Sequence, residues 1–131
     1  MKTKNIISWI LRLIVAIILL QTLYFKFTAH PDSVHIFSAL GVEPYGRIGL
    51  GIIELITVIL ILLPKTKIIG MINSLGIIMG AIASHILVLG VNVSNDGGGL
   101  FTLAIIVLIA SSVYLIIYKN EILSFINNFK K

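Results

Sequence analysis

The feature that most restricts this chain is a recurring length rather than a motif. Four apolar runs, Ile6 to Phe27, Pro44 to Leu63, Ile68 to Gly90 and Leu100 to Tyr118, each match the roughly 20 residues a helix needs to cross ~30 Å of hydrocarbon. Backbone in lipid must satisfy its own hydrogen bonds, so the runs predict an all-α, antiparallel four-helix membrane bundle. Composition agrees: 58% of residues are hydrophobic and 11% charged, against about 45–50% and about 25% in soluble domains. That balance excludes disorder, a soluble enzyme and a nucleic-acid module. The net charge of +5 is scattered between the runs, with no basic stripe. With no cysteine in the chain, disulfides, thiolate catalysis and cysteine-held metals are excluded as its own chemistry. We expect one transmembrane domain over residues 1–131 with the lipid bilayer as its first partner.

Charge sets the expected orientation. The first run carries Arg12 and continues to Phe27, which separates it from a cleaved signal peptide. Four spans bring both termini and the Pro64 to Lys67 loop to one side, where Lys2, Lys4, Lys65, Lys67 and Lys119 collect. The positive-inside rule makes that side the cytoplasm. Trp9, Tyr114 and Tyr118 are expected in the inner aromatic belt, and Tyr24 and Tyr45 in the outer one. Between the first two spans, Pro31 to Leu40 predicts a short amphipathic helix over the outer mouth. Pro31 suits its first position, Asp32 its positive end, Val34, Phe37 and Leu40 its apolar face, and Gly41 its stop. Asp96 is expected to cap the fourth span from the Asn95 to Gly99 turn. The short tail 119–131 places Ile122, Phe125, Ile126 and Phe129 at helical spacing, as an interfacial helix does.

Ionisable groups at membrane depth cost at least ~2.5 kcal/mol on insertion scales, so each needs a partner, water or a function. Rise per residue puts Arg12 at ~9 Å from the inner boundary, Glu54 at ~14 Å, Arg47 and His85 at ~25 Å, and Lys26 at ~30 Å. Glu54, near the midplane, is the candidate proton acid or base, with Arg12 expected within reach from below. Lys26, Arg47 and His85 are the other ligand-binding candidates, forming a positive outer mouth for a polar head group or oxyanion. Gly76, Gly80 and Ser84 make a small-residue line expected to serve helix packing. Gln21 faces away from Arg12, toward another helix or chain. His30 and His35 are five apart, off the spacing that puts two imidazoles on one helical face, and no metal site is expected.

Arg12, Lys26, the run Leu40 to Pro44, Gly51-Ile52-Ile53-Glu54-Leu55 and Ala83-Ser84-His85 occur in an order that resembles the DoxX family of small bacterial four-helix membrane proteins. The resemblance spans roughly residues 10–118. It implies a bacterial inner-membrane location and a quinone-linked setting, in which the chain is a subunit or accessory of a membrane oxidoreductase and works with a redox partner subunit or as a homo-oligomer. Quinone is a cofactor by resemblance only; no intrinsic cofactor motif is present. The family's first helix carries a glycine four residues before its lysine, where this chain has Thr22. Two other readings use the same residues: a non-redox carrier or permease for a small solute, and a structural or assembly subunit.

Overall fold

Proline and paired lysines at Pro64 to Lys67, Gly41 after the short second helix, and Gly90 and Gly98 around the last outer connection set where the helices stop. The computed structural model describes residues 2–91 and 97–130. The first span is α1 (Lys2–Phe27), followed by the short α2 (Pro31–Ala39). The later spans are α3 (Tyr45–Leu62), α4 (Lys67–Ser84) and α5 (Gly99–Ile117), and α6 (Lys119–Lys130) closes the chain. Among the described residues there is no strand, and α1, α3, α4 with its extension, and α5 are long and apolar enough to cross a membrane. Each of α1 and α4 packs against both α3 and α5, which closes the four spans into a ring.

Two helix ends differ from expectation in an informative way. α1 begins a full turn early, and Lys4 in that turn reaches Glu121 of α6 at 3.0 Å while accepting a bond from the Tyr118 hydroxyl on its carbonyl. The first turns of α1 and α6 therefore meet. α4 passes into a π-helical turn, His85–Leu89, which ends where Gly90 adopts a φ of +76°. At the fourth span, Gly98 rather than an acid occupies the capping position; Asp96 lies outside the described residues.

Lipid offers little hydrophobic drive for helices to associate, so close approach and interhelical hydrogen bonds hold such a bundle. Val15, Leu19, Val58, Ile61, Met71 and Val107 fill its centre. At the α3–α4 hairpin, a Cβ on Gly70 would lie 2.6 Å from the Ile61 nitrogen, so only glycine allows that contact. Ser74 and Ser111 hydroxyls join α4 to α5 at 2.8 Å. Tyr114 and Tyr118 do not form a lipid-facing belt: both are buried and their rings stack at 4.6 Å, because the i, i+4 spacing turns them together onto α1. Trp9, Tyr24 and Tyr45 are exposed, as belt residues are.

Candidate functional site

Glu54 sits mid-way along α3 and is buried. Its Oε1 lies 2.7 Å from Nζ of Lys26, and its Oε2 accepts a 2.6 Å hydrogen bond from the Thr22 hydroxyl, both partners coming from the last turns of α1. Thr22 and Lys26 are four apart and so share one face of that helix. The Thr22 proton has a second acceptor in the Leu19 carbonyl at 3.0 Å, but the carboxylate is closer and charged.

The register of α1 explains both this pair and the placement of Arg12. Counting rise from a common inner boundary at Ile6 and Leu63 places α1 too high against α3. The structure instead puts Arg12 against the end of α3, where its Nε donates to the Ile61 carbonyl at 2.8 Å and its Nη2 to the Leu62 carbonyl at 3.1 Å. Sliding α1 by about one turn, ~5 Å, carries Arg12 away from Glu54 and brings Lys26 toward it. The four-carbon stem of lysine spans the remaining rise. Arg12 thus satisfies two of the carbonyls that a helix end leaves without partners, and Trp9 stacks over its guanidinium at 4.1 Å.

Arg47 is also engaged within the protein. Its Nε bonds both carboxylate oxygens of Glu43, at 2.8 and 3.0 Å, and its Nη1 donates to the backbone carbonyl of Lys26. It fixes the end of α1 from which Lys26 descends. Neither Arg12 nor Arg47 lines the cavity described next, so the expected ring of free cations is not formed.

A cavity of about 630 Å³ lies between the spans under α2, with Lys26, Glu54, Thr22 and His85 on its wall. Most of the remaining lining is aliphatic or aromatic. His85 is buried on the π-helical turn, with its ring edge on Phe101. Its Nδ1 is 2.9 Å from the Gly90 carbonyl. A carbonyl can only accept, so Nδ1 carries a proton and, in the neutral ring, Nε2 holds the lone pair. Among the described residues Nε2 has no hydrogen-bond partner. π-turns of this kind are rare and recur at functional sites.

α2 covers the mouth, as its sequence implied, but with a shifted face: Ser33, Ile36, Phe37 and Leu40 line the cavity, while Val34 does not. Its cap is the His30 ring, whose Nδ1 accepts from the Asp32 backbone N–H at 3.2 Å. Gly76, Gly80 and Ser84 are not a packing stripe. A Cβ at either glycine would meet nothing within 4 Å, and all three residues line the cavity. Among the described residues no three His, Asp or Glu side chains converge as a metal site requires.

Of the candidate residues read from the sequence, the structure gathers Glu54, Lys26 and His85 around one cavity. Sequence reasoning missed Thr22, although the four-residue step to Lys26 was a usable signal. No curated protein and no solved structure matches the chain. The family model of the DoxX-like family matches residues 10–113. With its four apolar spans and this match over most of its length, the chain is an integral membrane protein that belongs to the DoxX-like family.

Proposed function

We propose that the protein is a quinone-linked subunit or accessory of a membrane oxidoreductase, and that the cavity receives the quinone head group as substrate. The observation that carries the reading is the composition of the cavity wall: a largely apolar chamber with a buried Lys26–Glu54 pair, the Thr22 hydroxyl and the His85 ring. A few polar groups in an apolar pocket is the usual make-up of a small-molecule site. About 630 Å³ is ample for a substituted six-membered ring. Lys26 and Glu54 offset each other's charge and the Asp32 carboxylate adds a negative one at the mouth, so the wall favours a neutral, hydrogen-bond-accepting head over an anion.

Reduction of a quinone takes two electrons and two protons, and this chain has no cysteine or cofactor motif with which to supply the electrons. They come from a partner subunit. The residues here supply hydrogen bonds and protons: the Lys26 ammonium donates to a carbonyl oxygen on which negative charge grows, and Glu54 and Nε2 of His85 exchange protons with the chamber. Arg47 keeps Lys26 in place through its backbone carbonyl. The lysine-rich loop and chain ends support an orientation with both termini in the cytoplasm of a bacterial inner membrane.

The test is to extract the protein in mild detergent and quantify co-purifying quinone by mass spectrometry, beside Glu54→Gln. The expected result is near-stoichiometric quinone in the wild type and much less in the variant. Quinone-free wild-type protein would contradict the reading.

A further inference from the structure

We propose that the cavity opens sideways into the membrane between α3 and α4, and that this portal passes the tail of a single-chain amphiphile whose head sits at Lys26–Glu54. The proposal rests on the head-group reading above and specifies the form of its ligand.

α4 is pinned to α3 at one end, and its glycines further along meet no neighbour. At Gly70 α4 touches α3 so closely that a Cβ would lie 2.6 Å from the Ile61 nitrogen. Ten residues on, Gly80 lies at roughly 80° from Gly70 around α4, with Ser84 between them in angle. A Cβ there would meet nothing within 4 Å, and the same is true at Gly76. The opposite flank of α4, at Leu75, Met79 and Ile82, borders a separate groove shared with Leu108 and Ser112 of α5, which contains neither Glu54 nor Lys26. The flank that communicates with the charged pair is therefore the one on the α3 side. Both glycines are exposed, yet both also line the cavity that contains Glu54 and Lys26. One continuous space thus runs from the charged pair to the side of the bundle.

Depth decides what can lie in that opening. Gly76 and Gly80 are roughly 14–20 Å along α4 from its hairpin end, which is the middle of a ~30 Å hydrocarbon layer. The surroundings there are acyl chains, so the occupant of the portal is apolar. Entry from the mouth is narrowed by α2, where Phe37 is buried and its ring lies 6.0 Å from the Lys26 ammonium. A small-residue stripe in a membrane helix ordinarily seats another helix; this one borders a space continuous with a polar site, and the polar end and the apolar exit together describe an amphiphile.

The test compares a decyl-substituted benzoquinone with the same ring lacking the tail, on wild type and on Gly80→Leu and Gly76→Leu. Leucine at either place enters open space in a regular helix, so folding is retained. We expect Gly80→Leu to weaken the tailed probe at least about tenfold while leaving the tail-less ring unchanged. Equal loss of both probes, or of neither, would overturn the portal. A second measurement judges the portal even if no quinone binds: in vesicles containing a phosphatidylcholine with a diazirine on its acyl chain, illumination should label cavity residues such as Leu50 and Ile77 in wild type but not in Gly76→Leu/Gly80→Leu. Labelling confined to the outer surface in both would overturn the portal, whereas failure of both quinones alone would overturn the head-group reading.

Discussion

Lys26 descends from the last turn of α1 to hold its ammonium 2.7 Å from the carboxylate of Glu54, half-way along α3 and almost wholly shielded from solvent. An ion pair in that position ties two spans together and places a polar patch on an otherwise apolar chamber. Removing one partner leaves a buried charge alone, which typically costs about 3–5 kcal/mol, whereas replacing both with apolar groups of similar volume is close to neutral. Lys26→Met and Glu54→Leu should each lower the unfolding midpoint in detergent markedly, and the double variant should recover most of the loss. Additive losses would mean that the two residues act separately.

Thr22 contributes a single hydrogen bond to the same carboxylate. Thr22→Val keeps the shape and removes the donor, with an expected loss of about 1 kcal/mol. Thr22→Ser should restore it. Thermal unfolding of the three proteins checks this, and indistinguishable valine and serine variants would remove Thr22 from the site.

Arg12 acts at the other end of the bundle, on the final carbonyls of α3. Arg12→Leu should destabilise by about 2–4 kcal/mol through two lost charged hydrogen bonds, and Arg12→Lys should recover only part, because an ammonium cannot reproduce the two-pronged contact. Neither change should alter binding of a quinone probe to the folded protein. A selective loss of binding in folded Arg12→Lys would place Arg12 in the site after all.

The Lys4–Glu121 contact gives a pH signature outside the membrane. Lys4, then the backbone N–H of Glu121 itself, hold the Glu121 carboxyl below the ordinary carboxylate range. A carboxylate with a depressed folded pKa stabilises above its unfolded pKa and loses that contribution as pH falls through the folded one. The pair is exposed, so the effect is small and local. Amide hydrogen exchange in α6, corrected for the intrinsic rate, should show less protection in acid than at neutral pH, and Lys4→Met should abolish the difference. A difference that survives Lys4→Met would assign the pH dependence elsewhere.

Orientation is directly accessible because the chain has no cysteine of its own. Tyr45→Cys, at a strongly exposed position by the mouth, should react with a membrane-impermeant maleimide on intact cells, and Lys65→Cys only after permeabilisation. The reverse pattern would invert the proposed topology.

Helix number, the covering α2 and the mid-span position of Glu54 were legible in the sequence because they follow from run length, turn residues and depth, which need no knowledge of packing. The partners of Glu54 were not. They depend on how far α1 slides along α3, and that is set by the extra turn at Lys2 to Asn5 and by Arg12 seeking the open carbonyls at Ile61 and Leu62. A helical face is periodic along its axis, so angle alone leaves the register free by whole turns. Gly76 and Gly80 pose a related difficulty: small residues allow close approach, but whether a neighbour lies against them is a matter of packing, and here none does within 4 Å. The π-turn at His85 has no signal in the apolar pattern, which continues through it unchanged.

The function proposed above places the head group of a quinone at the Lys26–Glu54 patch. Equilibrium titration of the detergent-solubilised protein with a decyl-substituted benzoquinone tests it most directly, with wild type beside the double variant Lys26→Met/Glu54→Leu and with Arg12→Lys as the control away from the cavity. Saturable one-to-one binding is expected for wild type and Arg12→Lys, and at least about tenfold weaker binding for the folded double variant. Binding by the double variant at wild-type strength, or unsaturable partitioning in all three, would contradict it.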